Sequence, residues 1–219
     1  MVRAKMKLIA VTQRVDTHPS VSERRDALDQ RWVAFLRICG YLPLLLPNQA
    51  ESALALLAAC QPQGLLLTGG NTLASLQGDA PERDATETGV LHWTRQQSLP
   101  VLGVCRGMQF LLDQFGVPLK KVAGHVQPVQ EILIHSCRAT VNSYHEFGAQ
   151  VDSSIQSPTD AGFPLQAGYA PLHVWAWTDD GVVKAIRHAH EPICGIMWHP
   201  ERLTPFRSWD TRFFKEFFG

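Results

Sequence analysis

Short apolar runs alternate with helical periods through the first half of the chain, and this alternation limits the fold more than any other feature. Leu8-Ile9-Ala10-Val11 reads as a buried strand. Gln13 to Ser22 is polar and contains Pro19, which predicts a loop. From Glu23 to Cys39 the apolar residues Leu28, Trp32, Phe35 or Leu36, and Cys39 recur at helical spacing, and Gly40 supplies the stop. Leu42 to Leu46 is a second strand, closed by Pro47-Asn48. Glu51 to Cys60 is a second helix, and its unbroken apolar run from Ala53 to Cys60 predicts that it is buried. Gly64 to Leu67 is a third strand, followed by the loop Thr68-Gly69-Gly70-Asn71. Glu82 to Gln97 is a polar helix with an apolar edge at Val90, Leu91 and Trp93. Val101 to Val104 and Gly107 to Phe115 add one more strand and helix. Repeated β-α units of this length predict an α/β fold: a mostly parallel, flavodoxin-like sheet with helices on both faces.

The second half changes character. Val129 to Ile134, Ala139 to Asn142, Val174 to Thr178, Val182 to Ile186 and Ile193 to Trp198 are short strands, and Thr178-Asp179-Asp180-Gly181 is a hairpin signal. These predict an antiparallel extension at one edge of the sheet. Ser153 to Gly168 is polar, holds Pro158 and Pro164, and reads as a surface loop near the site. Trp209 to Phe218 is a short aromatic helix. At roughly 100–200 residues per domain, 219 residues predict a single domain over 1–219.

Charge and cysteine content narrow the classes. Lys plus Arg equals Asp plus Glu at 20 each, so no bulk field draws the chain to nucleic acid or an anionic membrane. The five cysteines (Cys39, Cys60, Cys105, Cys137 and Cys194) are too far apart for a zinc ribbon or a CxxC redox motif. The apolar stretch near the N-terminus is too short for a signal peptide or membrane span, so a cytoplasmic protein is expected. No His/Asp/Glu cluster has metal-ligand spacing, and there is no GxGxxG or Walker loop, so neither metal nor cofactor is expected.

Two motifs carry chemistry. In Pro100-Val101-Leu102-Gly103-Val104-Cys105-Arg106-Gly107-Met108-Gln109 a buried strand runs into Gly-x-Cys-x-Gly and then a helix. That is the pattern of a nucleophile elbow, in which the residues two before and two after the nucleophile approach each other and must be small. Cys105 would stand at a helix N-terminus, where the dipole favours the thiolate. A buried Cys beside two turn glycines is the plainer alternative. In Trp198-His199-Pro200-Glu201 a strand ends at a histidine with a carboxylate two residues on. A cysteine nucleophile needs such a base and such an orienter. Alone, this stretch would read as a strand-end turn.

Together these stretches resemble the two signatures of the class I glutamine amidotransferases, and Leu67-Thr68-Gly69-Gly70 resembles that family's oxyanion strand. The resemblance implies a catalytic triad of Cys105, His199 and Glu201, with the backbone N–H groups of Gly70 and Arg106 as oxyanion donors. Thr12-Gln13-Arg14, Arg83-Asp84 with Glu87, and Val141-Asn142-Ser143-Tyr144-His145 are similar to the gamma-glutamyl hydrolase branch. On that basis the segment Asn142 to His145, with Ser143, Tyr144 and His145, would line the glutamyl pocket and Gln109 would contact the same head, while Asn71 would be a further substrate-binding residue. His125, in a Gly-His pair that also recurs in the family, would be structural or substrate-adjacent.

Thr12 to Asp16, Arg25 to Trp32 and Gly69-Gly70-Asn71 resemble the gamma-glutamyl-CDP-amidate hydrolases of capsule phosphoramidate synthesis. Arg14, with Arg24, Arg25 and Arg31 nearby, would then meet a diphosphate, or else form a solvated basic face. The expected partner is a small gamma-glutamyl substrate. A homodimer is compatible with the sequence, while nucleic acid and membrane are not expected. Three other functions stay open: a glutaminase subunit supplying ammonia to a synthase, a hydrolase of another gamma-glutamyl amine such as gamma-glutamyl-gamma-aminobutyrate, and a binding protein that kept the fold.

Overall fold

The computed structural model describes residues 6–135, 137–151 and 171–219, and residues 163 and 164 by their backbone alone. Apart from those two, the loop predicted over Ser153 to Gly168 lies outside the described residues. The chain divides into two compact units: Met1–Val101 with Pro200–Gly219, and Leu102–His199.

The first unit contains β1 (Lys7–Val11), β2 (Arg14–His18), β3 (Glu23–Ala27), α1 (Gln30–Cys39), β4 (Tyr41–Leu45), α2 (Ala50–Cys60), β5 (Leu65–Leu67) and α3 (Pro81–Gln96). The strand order β4-β1-β5 is parallel throughout. Ile9, Ala10, Val11, Leu65, Leu66 and Leu67 are all fully buried, as strands covered on both faces must be.

Two local expectations are corrected. The stretch from Gln13 to Ser22 is not simply a loop, and no helix begins at Glu23, because β2 and β3 pair as an antiparallel hairpin in the register Val15↔Asp26. Glu23, Arg24, Arg25 and Asp26 are exposed, so the helical stripe that starts at Trp32 cannot extend back through them. The Asp29 side chain accepts the Arg31 N–H at 3.0 Å and caps α1 there, and Gly40 ends it with φ +94°. The second correction concerns α2, which is buried only along Ala53 and Leu57. Ala55, Ala58 and Ala59 are small and apolar enough to read as core from sequence while facing outward.

The second unit contains β6 (Val101–Val104, whose first residue belongs to the first unit), α4 (Arg106–Gln114), β7 (Lys120–Lys121), β8 (Val126–Ile134), β9 (Cys137–Tyr144), β10 (Phe147–Gly148), β11 (Phe163–Pro164), β12 (Leu172–Trp177), β13 (Val183–His188) and β14 (Ile193–Ile196). Its strands run in the order β6-β14-β13-β12-β8-β9, and from β14 to β9 each neighbouring pair is antiparallel. This is the antiparallel extension that the sequence predicts, with longer strands. Gly181, at φ +81°, closes the predicted hairpin and donates its N–H to the Thr178 carbonyl at 2.8 Å.

The core of the first unit between α1 and the C-terminal helix Ser208–Phe218 is aromatic. Phe35 is fully buried, with its ring centroid 4.7 Å from Phe214, 5.2 Å from Phe206 and 5.9 Å from Trp32, all nearly edge-to-face. Phe35→Ala empties the centre of this cluster and should cost about 3–5 kcal/mol of stability. The urea midpoint of the variant checks this; a change below about 1 kcal/mol would mean that the cluster collapses to fill the space.

Candidate active site

β6 is buried along its length and ends at Cys105, which has φ 53° and ψ −109°. A non-glycine residue at positive φ is strained, and such strain gathers at functional turns. The glycines explain how the turn is made. A Cβ on Gly103 would lie 2.6 Å from the carbonyl atoms of Gly107 and 2.7 Å from the Met108 nitrogen, so no larger residue fits. The Cys105 N–H donates to the Ile196 carbonyl at 2.8 Å, tying the turn to β14. α4 starts at Arg106, whose N–H is the first of the helix. The Cys105 thiol points to the Tyr144 carbonyl, with Sγ and oxygen 3.8 Å apart.

His199 lies in the same unit, beyond the end of β14, and is buried. Its backbone is clamped by one side chain: the Asn142 amide donates to the His199 carbonyl at 2.8 Å, and its oxygen accepts the His199 N–H at 2.7 Å. The Tyr144 ring lies 5.9 Å from the imidazole. Glu201 follows two residues along the chain, buried in the short turn Pro200–Arg202, with Arg202 Nε 3.6 Å from its carboxylate. None of the five cysteines is joined in a disulfide. Burial pushes the thiols of Cys39 and Cys194 up to about 12, which keeps them protonated and unreactive at neutral pH.

Behind Tyr144 the second unit holds a buried polar network. Lys184 is 1% exposed, and its ammonium reaches Gln130 Oε1 at 2.6 Å, Ser143 Oγ at 2.9 Å and His145 Nε2 at 2.6 Å. His145 Nδ1 donates to the Phe147 carbonyl at 2.9 Å, so its Nε2 is the acceptor facing Lys184. Ser143 donates to the His125 carbonyl at 2.8 Å. The Gln130 amide nitrogen lies 2.7 Å from His125 Nδ1, and His125 Nε2 lies 3.1 Å from Asp180. The rings of His125 and His145 stack at 5.2 Å. Burial and then the Lys184 charge pull His145 down to about 3, so it is neutral. Burial pulls Lys184 down to about 7, against the carboxylate of Asp180 and the sulfur of Cys105.

The sequence-predicted binding residues divide accordingly. Ser143 and His145 direct their side chains into this network, and Tyr144 between them is the one partly exposed. Gln109 donates to the Phe147 carbonyl at 2.8 Å, so its amide is engaged with the protein. His125 is a structural member of the network.

In the first unit, Gly70 has φ +85°, and the stem of Arg14 packs over it closely enough that an added Cβ would meet Arg14 Cδ at 2.8 Å. Asn71 pairs its side chain with both the N–H and the carbonyl of Val15, each at 2.8 Å, and so fastens the loop to β2. Arg83, fully buried, forms an ion pair with Glu87 at 2.9 Å and donates to the carbonyls of Thr68 at 2.7 Å, Gly69 at 3.1 Å and Gly70 at 2.5 Å. Across a trans peptide the C=O and the following N–H point in opposite directions. The N–H groups of Gly70 and Asn71 therefore face away from Arg83. Arg24, Arg25 and Arg31 each pair with a carboxylate, Glu82, Glu23 and Asp29 respectively, on a solvated face.

Three residues take parts that the sequence reading did not assign: Asn142, expected to line the glutamyl pocket, clamps the His199 backbone; Arg83, noted only for its resemblance, cradles the glycine loop; and Lys184 was not singled out. Lys184 had a signal, because in Val182-Val183-Lys184-Ala185-Ile186 it is the one charge in an apolar strand. Among the described residues, no group of three or more His, Cys, Asp or Glu could hold a metal ion, and no helix is long and apolar enough to cross a membrane.

The chain is 25% identical over 201 residues to gamma-glutamyl-CDP-amidate hydrolase of Campylobacter jejuni, covering 89% of this chain and 90% of that one. It is 28% identical over 174 residues to a subunit of the glutamine-hydrolyzing GMP synthase of Methanospirillum hungatei, covering 72% of each. In structure it resembles a putative GMP synthase subunit from Thermoplasma acidophilum, with a TM-score of 0.67, 20% identity and coverage of 99% of this chain and 94% of that one. It also resembles a glutamine amidotransferase from Thermotoga maritima, with a TM-score of 0.63, 12% identity and coverage of 97% and 84%. These neighbours establish the flavodoxin-like α/β fold, and the relatives support a cysteine-type hydrolase. The profile of the Peptidase C26 family matches residues 7–201, and the chain belongs to that family.

Proposed function

We propose that the chain hydrolyses a gamma-glutamyl amide through a Cys105-His199-Glu201 triad. The observation that carries this reading is the strained elbow. Cys105 is held at positive φ at the head of α4 by the contact of Gly103 with Gly107, where a thiolate is both presented and favoured. In the reaction His199 takes the Cys105 thiol proton and the thiolate attacks the γ-carbonyl. The Arg106 N–H meets the developing oxyanion, and the family resemblance assigns the second donor to Gly70. The C–N bond breaks as His199 protonates the leaving amine. His199 then takes a proton from water, the hydroxyl adds to the thioester, and glutamate leaves with the Cys105 sulfur regenerated. Glu201 would hold the imidazole. No cofactor takes part.

Similarity to gamma-glutamyl-CDP-amidate hydrolase along nearly the whole chain supports that amidate as substrate, with cytidine diphosphoramidate as the second product. The Arg14 guanidinium beside Gly70 is the group that would meet the diphosphate. Similarity to GMP synthase subunits supports a second reading, a glutaminase that hands ammonia to a partner.

Cys105→Ala should lower turnover by about three orders of magnitude or more with the fold intact, and His199→Asn by nearly as much. Glu201→Gln should be milder than either, since an amide still orients the ring. Steady-state kinetics with circular dichroism as a folding control checks all three; a folded Cys105→Ala enzyme retaining a tenth of turnover would remove Cys105 as nucleophile.

The leaving group is decided by kcat/KM on the isolated protein for the nucleotide amidate, gamma-glutamyl-gamma-aminobutyrate and glutamine. The amidate should lead, because its remote groups supply binding that can position the scissile bond. Glutamine turned over as well as the other two would favour the ammonia-supplying reading.

A further inference from the structure

A buried lysine is costly unless its charge has a purpose or its donors are all met. Those of Lys184 are all met. An ammonium has three N–H donors, and here it has three acceptors in Gln130 Oε1, Ser143 Oγ and His145 Nε2. Each acceptor is turned toward it by another bond: Ser143 by its donation to the His125 carbonyl, His145 by the Phe147 carbonyl, and Gln130 by His125 Nδ1. The arrangement therefore suits a charged lysine and a neutral His145.

The position of this charge relates it to Cys105. The Lys184 carbonyl accepts the Met197 N–H at 2.8 Å, and the preceding residue, Ile196, accepts the Cys105 N–H at 2.8 Å. On the other side, Ser143 and His145 flank Tyr144, whose carbonyl faces Cys105 Sγ. Lys184 is thus attached to both strands that touch the nucleophile. The titratable or charged groups around it are His145 after β9, His125 before β8, Asp180 in the hairpin before β13, Cys105 at the head of α4, and His199 after β14, whose charge is also felt at His145.

We propose that Lys184 is a positioning residue that holds the Ser143–His145 strand end against Cys105 and sets a titratable ammonium on the strands that touch the nucleophile. The proposal rests on Cys105 being the nucleophile, but its test does not require turnover. Cys105 draws Lys184 toward its protonated form. By reciprocity the ammonium favours the thiolate of Cys105 over the thiol. The neutral His145 adds no competing charge and serves as an acceptor.

Alkylation by iodoacetamide reads the thiolate directly, because it proceeds by displacement at carbon and needs neither oxyanion donors nor a general acid. The rate is followed on the Cys105 peptide by mass spectrometry between pH 5 and 10, so that Cys60 and Cys137 do not interfere. Lys184→Met keeps the length of the side chain and removes the charge. It should raise the pH midpoint of Cys105 alkylation by about one unit and lower the rate at pH 7 several-fold. With a gamma-glutamyl amide it should lower kcat more than it raises KM. Ser143→Ala changes no charge and removes only one acceptor of the ammonium, so it should move the midpoint in the same direction by less.

A folded Lys184→Met protein with the wild-type midpoint overturns the proposal, because a purely structural lysine would change stability and leave the thiol titration alone. If Lys184→Met does not fold, an unmoved midpoint in Ser143→Ala overturns it. The two readings fail separately. Loss of the midpoint shift with wild-type hydrolysis intact removes the role of Lys184. Hydrolysis that survives Cys105→Ala removes the nucleophile assignment and leaves the midpoint shift to be measured on the same thiol.

Discussion

The backbone of Gly103 lies against that of Gly107, and the geometry of the second unit around Cys105 depends on that contact. The approach leaves no room for a Cβ, so the chain can turn from β6 into α4 within one residue. That residue takes the strained conformation. The strain is held by three bonds and contacts: the Cys105 N–H to Ile196, the Gln109 N–H to the Cys105 carbonyl, and the packing of Met108 on Gly195. A second glycine contact thus supports the first, since an added Cβ on Gly195 would lie 2.7 Å from Met108 Cγ. Strain of order 1–3 kcal/mol persists only where neighbours over-determine it in this way.

The two units solve the problem of a buried cation differently. Arg83 has a formal counter-charge in Glu87, one helical turn away, and directs its remaining donors to the carbonyls of a glycine loop. Removing one partner of such a pair leaves an uncompensated buried charge, which is strongly destabilising. Lys184 has no carboxylate among its three hydrogen-bond partners and is solvated by neutral acceptors, with Asp180 further off behind His125. The first arrangement fixes a backbone. The second keeps a charge whose protonation responds to its surroundings, which is why burial brings it to about 7 while no comparable freedom exists for an arginine.

The β-α alternation, the elbow and the hairpin at Gly181 were legible in the sequence because each is written in local terms: an apolar run, small residues at fixed offsets, a turn residue at positive φ. The β2–β3 hairpin was not. Its residues are polar and exposed, so no apolar alternation marks it, and its pairing is fixed from outside by Asn71 on Val15 and by Asp26 on the Asn48 side chain at 2.7 Å. Those contacts span 56 and 22 residues of sequence. The directions of Ser143 and His145 were hidden for the same reason. Alternation along β9 shows that neighbours face opposite ways, but only Lys184, some forty residues on, determines which face is the buried polar one.

Recognition of a leaving group by the first unit would pass through Arg14. Its stem packs over Gly70, which brings its side chain close to that glycine. The present partner, Asp16 at 2.9 Å, is itself exposed, as is Arg14. An exposed pair of this kind contributes little, because water and salt screen it and both side chains lose freedom in making it. A diphosphate offers two anionic groups where Asp16 offers one, and a guanidinium binds phosphate oxygens through two parallel N–H donors. Exchange of Asp16 for a diphosphate is therefore inexpensive. Arg24, Arg25 and Arg31 pair with Glu82, Glu23 and Asp29, so the case for a contact with a nucleotide rests on Arg14, whose stem packs on Gly70, and not on the number of arginines nearby.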